Sequence, residues 1–203
     1  GDGLMWNPFR KSKTIDQIAL ELDEGRSRRS AGQIVNRDTA LEVTTVLACV
    51  DAIATGCAVP DLHVMRDLGN GQKERARDHP SYRVLHRRPN EWQTAMEFRE
   101  TLTMHAALTG NGYAIPTRDD DGNLLELLPV LPNMVLVNQP RRYEIEYTVT
   151  DEFGVIGVFR HDQIFHLRNR SWDRVKGLDA VAKARAAIGL AMAAEQNVSD
   201  LQA

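Results

Sequence analysis

Hydrophobic positions along this chain follow two periods in turn. Up to Gly112 they recur every three or four residues, from Tyr113 to Leu167 they fall in short alternating runs, and after Leu178 the helical spacing returns. Thr14 and Gln17 make a capping box ahead of Ile15, Ile18, Ala19 and Leu22, which predicts a short amphipathic helix ending at Asp23. Thr39 and Glu42 make a second box, and Val43, Val46, Leu47, Val50, Ile53, Ala54 and Cys57 share one helical face, so a core helix is expected there, ended by Pro60. Leu62, Val64 and Met65 then lead as a strand into Asp67-Leu68-Gly69-Asn70-Gly71, a hairpin turn. His79-Pro80 opens a helix through Tyr82, Val84 and Leu85 that Pro89-Asn90 stops. Thr94 and Glu97 form a third box, starting a helix that carries Phe98, Leu102 and His105 as far as Gly110.

The later runs read as strands: Tyr113 to Thr117, Leu124 to Leu128, Met134 to Val137, Tyr143 to Val149, Val155 to Phe159 and Ile164 to Leu167. Asp120-Asp121-Gly122-Asn123 and Glu152-Phe153-Gly154 connect neighbours as hairpins, so the pairing is mainly antiparallel. A long Ala-rich helix with Val181, Ala184, Ile188, Ala191 and Met192 on one side closes the chain. Segregated helices and antiparallel strands give an α+β class, with helices packed on a mainly antiparallel sheet. Three parts are expected: 1–37, a helix and a basic linker arm whose Gly25 to Asn36 stretch holds Arg26, Arg28 and Arg29; 38–177, the α+β domain; and 178–203, the C-terminal helix.

Composition narrows the classes. A chain of 203 residues, 42% hydrophobic, buries roughly 70% of its unfolded surface and needs no metal or disulfide to fold. A net charge of -3 argues against a basic coat for nucleic acid, so any DNA contact has to be local. No apolar run is long enough to cross a bilayer, and no secretory leader pattern opens the chain, giving an expectation of no membrane partner and a cytoplasmic setting. Cys49 and Cys57 lie about 12 Å apart along a helix axis, too far for a disulfide, and are expected as buried free thiols.

Candidate chemistry is sparse, and no cofactor is expected. Asp119, Asp121 and Gly122 resemble the start of a calcium loop, but Leu128 stands where the closing Glu belongs. None of the histidines, His63, His79, His86, His105, His161 and His166, forms a zincin helix pair, so neither metal nor catalytic residues are assigned. Phosphate cradles and the hydrolase elbow are missing as well. Gly110-Asn111-Gly112 follows a helix, where the dipole repels phosphate, and reads as architectural. Basic groups at Arg83, His86, Arg87 and Arg88, at Arg141 and Arg142, and at Arg168, Arg170, Arg174 and Lys176 are solvated faces, or alternatively subunit contacts or a phosphate-facing wall. Trp172 either folds back on the core or anchors an interface.

Five segments in order resemble the portal proteins of tailed double-stranded DNA phages: Val46 to Val64, with Cys49 and Pro60; His79 to Asn90, with Pro80, Pro89 and Asn90; Phe98 to Tyr113, ending in Gly110-Asn111-Gly112-Tyr113; Leu125 to Val135, with Pro129 and Pro132; and Asp162 to Gly177, with His166 and Arg168. The resemblance covers roughly Ala31 to the C-terminus. It implies the outer wing of a ring-forming subunit at a capsid vertex, typically in twelve copies. DNA would pass through the channel, and terminase, capsid and head-completion proteins would bind. It implies a structural role without hydrolysis, in the virion and, during assembly, in the host cytoplasm. Gly177-Leu178-Asp179 stands where the family usually has Gly-x-Ser, an exchange Asp tolerates as a helix cap. The family's stem, clip and crown segments have no counterpart here, so a fragment or a reduced form is expected, and no DNA- or terminase-contacting residue is assigned. Two other classes stand beside this: a metal-dependent nucleic-acid-processing enzyme using Asp119, Asp121 and His166, and a nucleic-acid-binding module using the arm near Arg28.

Overall fold

A computed structural model describes residues 28–142, 144–151 and 153–202. The helix expected at Thr14 to Asp23 lies outside them. Within them the element order is β1 (Arg28–Ser30), β2 (Gln33–Val35), α1 (Arg37–Ala40), α2 (Thr44–Ala58), β3 (Met65–Gly69), β4 (Gln72–Arg75), α3 (Pro80–His86), α4 (Ala95–Thr109), β5 (Asn111–Arg118), β6 (Leu124–Val130), β7 (Val135–Arg141), β8 (Glu144–Asp151), β9 (Gly154–Arg160), β10 (Phe165–Arg168) and α5 (Ala180–Gln202). A single 3-10 turn at Pro132–Met134 links β6 to β7. The class is α+β, ending in a long helix. The antiparallel pairing is divided among four small sheets: β1-β2, β3-β4, β10-β5-β6 and β7-β8-β9.

Local chemistry explains most of these boundaries. The His79 ring nitrogen Nδ1 accepts the Ser81 N–H at 3.2 Å, with Pro80 in the first turn of α3. Thr94 and Glu97 close their box at the start of α4, Glu97 accepting the Thr94 N–H at 2.7 Å. Those bonds hold the Glu97 carboxyl below its usual range. Gly110 ends α4 at φ 81°. Asp179 caps α5 as expected, its Oδ1 accepting the Ala182 N–H at 2.7 Å.

Three expectations are corrected. Thr39 does not open the core helix. Asn36 sits at the cap of α1, accepting the Thr39 N–H at 2.8 Å while Thr39 Oγ1 accepts the Asn36 N–H at 3.0 Å, and the core helix starts anew at Thr44 without a side-chain cap. The described part of the linker arm is a hairpin. Ala31 and Gly32, at φ 51° and 81°, make a tight turn of the kind that matches strand twist, and fully buried Val35 plugs the core beside α5. Cys49 and Cys57 are exposed rather than buried. Helix α4 covers only the Val50-Ala54-Ala58 row of α2, four residues apart, so Leu47, Ile53 and Cys57 on the wider apolar face remain outside.

Three apolar clusters hold the elements together. Val35, Ala40, Val43, Val50, Leu108, Val181 and Ile188 join β2, α1, α2, α4 and α5. Val84, Phe98, Leu102, Ala114 and Leu127 fix α3 and α4 on β5 and β6. Tyr113, Val135, Val137, Tyr147, Val149 and Ile164 join the two three-stranded sheets.

Candidate functional site

The glycine triplet, His166, Arg168 and Gly177, scattered over much of the sequence, meet at one junction where α4 ends, β5 and β10 pair, and the loop to α5 begins. Their register is direct: His166 lies opposite Tyr113, Leu167 opposite Gly112 and Arg168 opposite Asn111. Asn111 is the hub. Its Oδ1 accepts the Gly177 N–H at 2.7 Å and the His166 Nε2–H at 3.0 Å, while its Nδ2 donates to the Thr109 carbonyl at 2.9 Å. A carbonyl oxygen only accepts, so His166 carries its proton on Nε2 and its Nδ1 accepts the Tyr147 hydroxyl at 3.0 Å. Burial, then the Arg168 charge, lower the His166 pKa to about 4, which fits this neutral tautomer. Burial also pushes the Tyr113 and Tyr147 hydroxyls up.

The glycines are there because backbones touch. A Cβ on Gly177 would fall on the Gly110 carbonyl, one on Gly110 would come within 2.5 Å of the Gly177 backbone, and one on Gly112 within 2.6 Å of the Leu102 carbonyl oxygen. Asn169 completes the fastening: its N–H donates to the Gly110 carbonyl at 2.9 Å and its Nδ2 to the Ala106 carbonyl at 3.3 Å. Arg168 donates to the Arg174 carbonyl, and Asp173 Oδ1 accepts the Val175 and Lys176 N–H groups at 2.8 and 2.9 Å, shaping the loop. The last two bonds help hold the Asp173 carboxyl low.

The remaining motif residues lie elsewhere. Pro89 is buried and its carbonyl accepts the Leu127 N–H at 2.8 Å, while Asn90 Nδ2 donates to the Leu127 carbonyl at 3.0 Å, tying the stretch after α3 to β6. Pro129 pairs with Ala114 in the β5-β6 ladder, Pro132 starts the 3-10 turn, Pro80 starts α3, and Pro60 follows α2. Cys49 is exposed on α2, away from all of these contacts. Asp119 accepts the Asn123 side-chain amide at 3.0 Å within the β5-β6 turn, and both His166 nitrogens are engaged. The trio of Asp119, Asp121 and His166 therefore forms no metal group among the described residues. Trp172, 91% exposed, does not fold back on the core. Sequence reasoning missed Tyr147, which reaches His166 through the packing of one three-stranded sheet on the other, and Asn169, which meets the end of α4 just beyond β10. It also missed the convergence of Asp61, His63 and His86 between the end of α2 and the end of α3.

This arrangement braces backbone segments against each other, and the Tyr147, His166 and Asn111 side chains are spent on holding that brace. Residues 44–203 match the family model described as "Phage portal protein". The chain belongs to the phage portal protein family. That family is structural and non-enzymatic. The chain is 32% identical over 168 residues to the portal protein of Enterobacteria phage HK97, covering 82% of this chain and 39% of that one. It is 29% identical over 125 residues to protein BeeE of Escherichia coli strain K12, covering 62% and 75% of the two chains. Its fold is similar to a chain of the neck of an empty gene transfer agent particle, with a TM-score of 0.62 and 21% identity over 89% of this chain and 50% of that one. A similar likeness holds to the crystal structure of an HK97-family phage portal protein from Corynebacterium diphtheriae, with a TM-score of 0.55 and 14% identity over 84% and 51%. The chain thus spans about two fifths of the HK97 portal and half of the solved chains it resembles.

Proposed function

We propose that this chain is the wing part of a portal subunit, that copies of it stand side by side in a closed ring in the neck of a phage-like particle, and that α5 leads from the wing toward the stem. Double-stranded DNA passes through the assembled ring during packaging and release, and terminase and head-completion proteins bind it. The observation that carries this reading is the family match, continuous from residue 44 through the helix α5. Of the similar neck chains, one comes from a native gene transfer agent particle computed with C12 symmetry and another from an empty particle computed with C6 symmetry, and a ring of twelve is compatible with both orders.

The surface supports it. Strand β9 is an edge of its sheet, and Val155, Ile156 and Val158 on it are 43%, 54% and 59% exposed beside Phe153 at 95%. An open edge with apolar side chains is a template for a second chain. Trp172 and the uncovered face of α2 add further exposed apolar side chains.

Sedimentation velocity over a range of protein concentrations, with negative-stain imaging of the heaviest species, tests the proposal. Concentration-dependent association that is weakened by Val158→Lys and by Phe153→Ser is expected. A chain that stays monomeric up to its solubility limit, with both variants sedimenting like the parent, overturns the ring contact through this edge.

A further inference from the structure

Away from the junction, three metal-ligating side chains converge where α2, the segment after it, and α3 meet. Asp61 and His63 lie just beyond Pro60, and His86 is the last residue of α3. One ligand atom from each lies within 4.8 Å of the other two. The His63 and His86 ring centroids are 4.4 Å apart, and buried Tyr82 flanks both, at 6.4 Å from His63 and 4.9 Å from His86.

The hydrogen bonding leaves ligand atoms available. His86 Nδ1 lies 3.0 Å from the Leu62 carbonyl oxygen. Because that oxygen only accepts, Nδ1 carries the proton and Nε2 keeps its lone pair. A backbone carbonyl behind the ring is the usual outer partner of a metal-bound imidazole. His63 Nδ1 is buried with no hydrogen-bond partner, an unsatisfied state that costs stability unless something occupies the space beside the ring. Asp61 Oδ1 is 3.8 Å from Arg99 NH2, and the Arg99 Nε and NH2 groups donate at 3.0 and 2.6 Å to the Ala58 carbonyl at the end of α2. The guanidinium is thus anchored chiefly on the helix end, and the carboxylate keeps oxygen lone pairs free.

We propose that Asp61, His63 and His86 form a binding site for a borderline transition-metal dication, zinc or its cobalt and nickel analogues, with water completing the coordination. Two imidazoles and one carboxylate suit such ions, whereas calcium and magnesium call for oxygen donors throughout. Arg75 and Arg77, whose charges reach His63, and Arg99 beside Asp61 oppose the cation and hold its affinity below that of a neutral surround. A bound ion ties the segment after α2 to the end of α3 and steadies the root of the β3-β4 hairpin.

The test is isothermal titration of the chelator-treated chain with zinc chloride, in a Cys49→Ser, Cys57→Ser background so that the exposed thiols do not take the metal. Cobalt chloride with visible absorption gives a second readout. The expected result is saturable one-to-one binding, cobalt d–d bands and a higher melting temperature with zinc. Asp61→Asn, at a side chain 61% exposed and so safe for folding, weakens binding more than about ten-fold, beyond the lower end of what even an outer ligand partner is worth. His63→Gln abolishes it, with an unchanged circular dichroism spectrum. No saturable binding, or zinc affinity equal in the parent, Asp61→Asn and His161→Gln chains, overturns the proposal. Loss in His161→Gln alone does so too, by moving the site to another histidine.

Discussion

Asn111 and His166 show how few atoms hold the junction together. One amide and one imidazole satisfy each other, a glycine N–H and a tyrosine hydroxyl, and each bond is made by a neutral group. The neutral state has a consequence for stability. His105, half-buried and near Arg37, and His166 both have pKa values lowered from 6.5 to about 4, chiefly by burial. As pH falls below about 6.5 the unfolded chain takes up these protons and the folded chain does not. Stability is therefore full above about pH 6.5 and declines toward pH 4. Allowing for partial exposure, the two histidines together account for about 2–4 kcal/mol of the loss. Urea melts across this range measure it. His166→Gln, which keeps a donor for Asn111, is expected to flatten the slope, and an unaltered slope would remove His166 from the account. At the same junction the Gly110 backbone leaves no room for a side chain at Gly177. Gly177→Ala puts a methyl on the Gly110 carbonyl, and a loss of about 3 kcal/mol or more in chemical denaturation is expected.

Helices α2 and α4 pack together but are built differently at their ends and faces. Helix α4 has a reciprocal cap and a left-handed glycine stop, while α2 starts at Thr44 with no side-chain cap and ends with no glycine. Thr94→Ala removes two bonds of the α4 cap, a change worth about 1 kcal/mol in thermal or urea melts. Gly56, in the middle of α2, has open space where a Cβ would go. Gly56→Ala is expected to stabilise by about 0.5–1 kcal/mol through backbone entropy and helix propensity. If it destabilises instead, the outer face of α2 is more crowded than its exposure indicates. The capping boxes also show how local signals compete. Thr39-x-x-Glu42 is a sound pattern, but the Asn36 side chain accepts the Thr39 N–H and Thr39 Oγ1 accepts the Asn36 N–H, so the threonine hydroxyl serves the start of α1 instead.

In the whole molecule, the three apolar clusters leave several hydrophobic residues outside: the outer row of α2, strand β9 and the loop tips at Phe153 and Trp172. Cys49 and Cys57 stand on α2 and report on its coverage. Both thiols are expected to react rapidly with a colorimetric disulfide reagent in the isolated chain, and labelling of Cys57 to slow when copies associate through that face. Slow labelling of both in a dilute monomer would contradict their exposure.

The fold class, the six later strands, the hairpin turns and the helices opened by His79-Pro80 and Thr94 were legible in the sequence, because period, caps and turn residues act over a few positions. The ordered motifs also made the family legible before any contact was known. What local pattern does not carry is which part of an apolar face another element covers. That is why the helical pattern places Cys49 and Cys57 inside while the structure leaves them exposed, and why a Ser- and Arg-rich stretch conceals a hairpin with Val35 in the core. Convergence of distant residues was equally out of reach. Asn111 meets His166 and Gly177 through strand register and a backbone contact that only glycine permits, and Asp61, His63 and His86 meet where the segment after α2 lies against the end of α3. Those meetings depend on tertiary packing because short-range preferences fix the direction of each segment, while only the closing of the cores fixes which segments become neighbours.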